Sequence, residues 1–176
     1  GGEERTLLGD RILVAAGRRP NSDGLALEQT GVEVDRRGFV TVDAQLRTTH
    51  PDIYAYGDII GQGMFKHTSS YEGELAYSNA YGAGLSVDYR ANPHAVFSDP
   101  QIGGVGLTER DCRDKGLDYS VGNFPFKASG KAQAMSETQG FTKILSGKPH
   151  GEILGAHMVG ENVTELIAEL GLARKV

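Results

Sequence analysis

The chain has 176 residues, a net charge of −5 and a pI near 5.5, and 39% of its residues are apolar. That apolar share suffices for a packed core in one domain or two small ones, while the acidic balance and scattered Lys and Arg argue against a nucleic-acid-binding surface. A single cysteine, Cys112, excludes an internal disulfide and a cysteine-rich metal site and fits a reducing, cytoplasmic setting; no apolar run reaches membrane-spanning length.

The opening stretch, GGEERTLLGD, has neither an initiator Met nor a basic-then-apolar signal pattern, so the chain reads as a fragment or a processed product. RILVAAG (11–17) is a continuous apolar run closed by Gly17, the pattern of a strand buried on both faces. RRPNSDG (18–24) is a dense turn signal. GVEV predicts a short strand, GFVTVD (38–43) an alternating one, and HPDIYAYGD (50–58) another, limited at its start by Pro51. These pieces suit an α/β layer with ligands at strand ends.

SSYEGELAYSNAYGAG (69–84) predicts a helix, with Ser69 and Glu72 spaced as a capping box, an apolar face of Leu75, Tyr77, Ala80 and Tyr81, and a stop at Gly82 and Gly84. SVDYRANP (86–93) reads as a linker. Beyond it, HAVFS and IGGVGL predict strands around the turn DPQ, Thr108 and Asp111 cap the helix ERDCRDKG, and YSVGNFPF predicts a third strand. GFTKILS and EILGAHMVG predict an antiparallel hairpin, and NVTELIAELGLARKV a closing helix with Val163, Leu166, Ile167 and Leu170 on one face. The division expected is 1–88, an α/β unit, and 89–176, an α+β unit with helices on one face of an antiparallel sheet.

IYAYGDIIGQG (53–63) holds the strongest chemical signal. Gly57 lets another group approach the backbone, and an ionised Asp58 offers only acceptors, which suit ribose-like or ribityl hydroxyls. The helix that follows presents free N–H groups toward an electron-rich ring or a phosphate. Asp and Gly are also favoured at plain turns, so spacing leaves both readings open.

ILVAAGRRPN, GVEVDRRGFVTVD, TTHPDIYAYGD and MFKH, in that order, closely resemble the carboxyl half of the flavoprotein disulfide reductases. The likeness continues through HAVFSDPQIGGVGLTE, VGNFPF and ILGAHMVGENVTELI, which look like that family's interface, or dimerisation, domain. The resemblance implies an FAD- and NAD(P)-dependent oxidoreductase. Asp58 would accept from the ribityl chain of FAD beside Gly57. Met64, Phe65, Lys66 and His67 would run along the flavin ring, and Gly17 would lie against the nicotinamide cofactor. It further implies a homodimer, a small disulfide or dithiol substrate, a 2-oxoacid dehydrogenase complex as partner and a part in cell redox homeostasis.

The family's glycine-rich FAD and NAD(P) fingerprints, its Cys-x-x-x-x-Cys pair and its terminal His-Pro-Thr-x-x-Glu segment do not occur in this sequence. No catalytic residue is therefore assigned here, and none of its residues is expected to hold a metal. His67 reads as a bordering or capping residue, and His94 and His157 read as packing residues. Lys66 stands where many dihydrolipoamide dehydrogenases have a small residue, and Arg18 and Arg19 read as a solvated turn, with a part in holding a neighbouring nucleotide as the alternative. The interface stretch is most similar to the dihydrolipoamide dehydrogenases, while FKHTSSYEGE is also similar to reductases of other low-molecular-weight thiols, such as mycothione reductase; glutathione and mercuric reductases are the remaining alternatives. NAD and NADP are not distinguished. The competing class is a non-catalytic dimerisation module.

Overall fold

A computed structural model describes residues 5–176. In the first part the chain gathers around Val32, Val40, Leu46, Ile60, Leu75 and Ala76. Helix α1 (Lys66–Ala80) supplies the last two of these. Its buried stripe is Thr68, Glu72, Leu75, Ala76 and Asn79, residues spaced three and four apart on one side of the helix. Tyr77 and Tyr81 lie outside it at 67% and 79% exposure, leaning on one another instead of on the core. Asn79 closes the helix end, its amide donating to the carbonyls of Gln45 and Leu85 while its oxygen accepts from the Leu85 N–H.

Two expectations for this part are corrected. The run 11–17 forms no strand, with Ile12 92% exposed and Leu13 90% exposed: no described segment offers it a neighbouring strand, so nothing buries its faces. The three stretches expected as strands between Val32 and Asp58 make only single bridges, Val34 to Val40, Val42 to Thr48 and Arg47 to Tyr54. Side chains take over the pairing there: the Asp35 carboxylate accepts from the Arg37 and Phe39 N–H groups, and that of Asp43 from Gln45 and Arg47, so tight Asx turns interrupt the ladder.

The second part follows the sequence closely. Strands β1 (Pro93–Val96), β2 (Ile102–Gly106), β3 (Tyr119–Pro125), β4 (Gly140–Gly147) and β5 (Ile153–Gly160) form one antiparallel sheet in the order β1-β2-β5-β4-β3. Helix α2 (Glu109–Asp114) starts on the expected box: the Thr108 hydroxyl accepts from the Asp111 N–H, and the Asp111 carboxylate accepts from the Thr108 N–H at 2.8 Å. A short helix not foreseen, α3 (Gly130–Met135), lies between β3 and β4 and is capped by the Ser129 hydroxyl. Helix α4 (Val163–Lys175) covers one sheet face, burying Val163 and Ile167 against Val105, Ala156 and Met158. Gly103 is what allows so close a contact, since a Cβ there would sit 2.8 Å from the Val163 carbonyl oxygen. Leu166, expected on the buried face, is 46% exposed and lines an open cavity with Phe126 and Met135 instead.

Candidate functional site

The chain enters the site through Tyr56 in an extended conformation and then turns sharply. Gly57 takes φ +80°, and a Cβ there would lie 2.9 Å from the Ser69 hydroxyl, so the position needs glycine both for conformation and for space. Residues Gly57–Ile60 form one 3-10 turn that presents Asp58 outward while Ile60 anchors the other side in the core. The Asp58 carboxylate is about half exposed and accepts from the Arg18 guanidinium at 2.8 Å; the same nitrogen donates to the Met64 carbonyl at 3.1 Å. Arg18, expected to be a solvated turn residue, thus closes one side of a cleft of 430 Å³ whose lining also includes Arg19, Pro20, Asn21, Ile59 and Met64. Arg19 pairs with Asp23 at 3.1 Å on the surface.

Met64 has φ +54°, a left-handed conformation that costs a non-glycine residue energy and is held by the Gln62 carbonyl, which accepts from its N–H at 2.7 Å. Phe65 is the N-cap of α1 and no side chain caps the helix. The first-turn N–H groups therefore face outward beside Met64 with the positive end of the helix dipole behind them. Lys66 is exposed. His67 stacks on Phe65 with ring centroids 5.5 Å apart, and its Nε2 donates to the Pro93 carbonyl at 2.7 Å, so it ties the helix start to β1 and caps nothing.

Ser69 and Glu72 do not form the expected capping box, because α1 begins three residues earlier, at Lys66. Glu72 is instead fully buried: one carboxylate oxygen accepts from the Gly57 N–H at 2.6 Å and the other from the Tyr89 hydroxyl at 2.7 Å. Burial, and then this bond to Glu72, pushes the Tyr89 phenol far above its ordinary pKa. The sequence did carry a signal for Glu72, a carboxylate standing in line with Leu75 and Asn79 on the buried stripe, but nothing in it named Tyr89 as the partner.

Gly17, with φ +97° and no atom close to where a side chain would begin, is open to solvent. The structure thus brings Arg18, Gly57, Asp58 and the segment Met64–His67 to one region, with Gly17 next to Arg18 in the chain. His94 and His157 flank Gly104 on the sheet, and the His94 ring stacks on Phe65 with centroids 6.4 Å apart, which brings it to the edge of the same region. His157 donates Nε2–H to the Leu107 carbonyl at 3.0 Å, and burial, with His157 as the lesser cause, holds the His94 imidazole below its ordinary pKa. Cys112 is buried and unpaired, and burial pushes its thiol pKa up, the opposite of what a reactive cysteine needs. Among the described residues no group of three or more His, Cys, Asp or Glu could hold a metal ion, and no helix is long and apolar enough to cross a membrane.

A turn that offers a carboxylate and a close backbone approach, next to an uncapped helix start, belongs to a recognisable class. Residues 1–73 match the family described as pyridine nucleotide-disulphide oxidoreductase, and residues 92–176 match the dimerisation domain of the pyridine nucleotide-disulphide oxidoreductases; the chain belongs to that family. Curated relatives include the dihydrolipoyl dehydrogenases of Geobacillus stearothermophilus, 45% identical over 98% of this chain, and of Bacillus subtilis, 44% identical over the same share. The chain spans 37% of the length of each. Among solved structures it is similar to the Cu(II) complex of the flavoprotein disulfide reductase RclA from Escherichia coli, with a TM-score of 0.87, 31% identity and coverage of 99% of this chain and 40% of that one. It is also similar to LpdA from Mycobacterium tuberculosis, with a TM-score of 0.82, 28% identity and coverage of 89% and 34%.

Proposed function

We propose that this chain works as the carboxyl-terminal portion of an FAD-dependent oxidoreductase that passes electrons from dihydrolipoamide to NAD, giving lipoamide, NADH and a proton. The observation that carries the reading is the juxtaposition of Gly57, Asp58 and the uncapped start of α1 around Met64. Asp58 would accept from the ribityl hydroxyls, and Gly57, with no side chain, would leave the backbone open to them. The segment Met64, Phe65, Lys66 and His67 would line the flavin ring, and the uncapped first-turn N–H groups of α1 would favour negative charge on it. FAD supplies the two-electron carrier when bound. Gly17, open on its surface and without a side chain, would leave the approach clear for the nicotinamide cofactor.

The residues fit the polyol and ring portions of FAD and contain no thiol pair, so the dithiol chemistry belongs to sequence outside this chain. The likeness to dihydrolipoyl dehydrogenases at 40–45% identity favours lipoamide over glutathione, mycothione or mercuric ion as the substrate. Residues 1–88 form the cofactor-facing unit and 89–176 the interface unit, through which two copies pair as a homodimer; the match to a dimerisation domain supports this. The setting that follows is cytoplasmic, beside a 2-oxoacid dehydrogenase complex that supplies the reduced lipoyl group.

The test is steady-state NADH formation by the full-length polypeptide with dihydrolipoamide and NAD, repeated with NADP and with reduced glutathione. Turnover with dihydrolipoamide and NAD well above the other pairs supports the proposal. Turnover confined to another thiol moves the assignment to that thiol's reductase. A second reading, a dimerisation module without activity of its own, is favoured for the isolated chain by the uncovered run Ile12–Val14.

A further inference from the structure

Four side chains on one side of α1, His67, Thr68, Tyr71 and Glu72, each bond to the segment that leads into β1. The Pro93 carbonyl accepts from His67 at 2.7 Å, and the Asn92 amide donates to the Thr68 hydroxyl at 2.8 Å. The Asp88 N–H donates to the Tyr71 hydroxyl at 2.7 Å, and the Tyr89 hydroxyl donates to Glu72 at 2.7 Å. Spacings of one, four and five residues put all four on one helix face, so residues 88–93, which the sequence presents as a linker, are fastened along it. Glu72 differs from the other three. Its second carboxylate oxygen accepts from the N–H of Gly57, the residue directly preceding Asp58.

A fully buried carboxylate with no cation bonded to it is stabilised only by its hydrogen bonds, and each of its two oxygens here has one donor. Removing either donor leaves one buried oxygen unsatisfied and frees the side chain to turn away from the donor that remains. The two bonds are therefore not independent.

We infer that Glu72 is a positioning residue: it fixes the Gly57–Asp58 turn in its ligand-ready shape and, through Tyr89, couples that turn to the docking of residues 88–93 and hence of the interface unit. The inference rests on reading Asp58 as a flavin ligand, but one arm of its test needs no flavin. The Tyr89 hydroxyl bonds to Glu72 and not to Gly57 or Asp58, and Tyr89→Phe keeps its edge-to-face contact with Tyr71 while deleting one hydroxyl.

The deciding experiment is amide hydrogen exchange at Gly57 in the full-length polypeptide freed of flavin, together with FAD titration, for wild type, Tyr89→Phe, Glu72→Gln and Asp58→Ala. Tyr89→Phe is expected to speed Gly57 exchange and to weaken FAD binding, each by about fivefold. Glu72→Gln, whose amide can accept from Gly57 and donate to the Tyr89 oxygen, is expected to stay within about twofold of wild type in both. Unchanged Gly57 exchange in Tyr89→Phe overturns the positioning role. Faster exchange with unchanged FAD affinity, while Asp58→Ala does weaken binding, overturns the coupling. If Asp58→Ala leaves FAD affinity unchanged, the cofactor reading fails, and the exchange arm by itself still decides whether Tyr89 acts on the turn.

Discussion

Asp88 shows how one carboxylate joins distant parts of the chain. The Arg90 guanidinium and N–H, followed by the Lys175 ammonium at the end of α4, hold its carboxyl well below the usual carboxylate range. A carboxyl depressed in the folded state contributes stability above its unfolded pKa of about 4 and loses it as pH falls below that value. Asp88→Asn should therefore lower the urea midpoint at pH 6, and the gap from wild type should narrow steadily below about pH 4. A gap that stays constant down to pH 2 would contradict the pairing. Gly57→Ala should cost about 1–3 kcal/mol, from the left-handed conformation and the clash with Ser69, measured as a shift in thermal midpoint.

At the scale of elements, capping and burial separate residues that periodicity treats alike. Thr108→Ala should lower stability by about 1 kcal/mol by removing one half of the box that starts α2. Ile167→Ala should cost about 2–5 kcal/mol, whereas Leu166→Ala should stay near 0.5 kcal/mol, about the size of a surface change. Equal losses for the two would contradict the placement of α4. Both leucine and isoleucine fit the apolar stripe in the sequence, and only the approach of β2 at Gly103 decides which one is covered. The sheet was legible because its strands pair within the chain and carry their own turn and cap signals. The run 11–17 was not, because a pattern of burial on two faces says nothing about whether neighbours are there to provide it. In the candidate site Asp58 and Gly57 could be read from residue chemistry and the burial of Glu72 from its place on the α1 stripe, whereas Arg18 and Tyr89 enter through contacts spanning 40 and 17 residues that no local pattern encodes.

Over the whole molecule, the two parts are joined along α1 by bonded side chains and again at the carboxyl end, where Arg174 donates to the Arg90 carbonyl and Lys175 pairs with Asp88. The Gly57–Ile60 turn and the five-stranded sheet thus share one helix. If the interface unit pairs two copies, the full-length polypeptide should sediment at twice its chain mass at micromolar concentration; a monomer there would remove the homodimer from the account. The claim on which the rest depends is that Asp58 holds flavin. The most direct measurement is the visible flavin band, per chain, of the full-length polypeptide purified as wild type and as Asp58→Ala and then desalted. The account predicts a yellow wild type and a variant that has lost most of its flavin, corresponding to about 1.5–3 kcal/mol of binding. Equal flavin content in the two would contradict it.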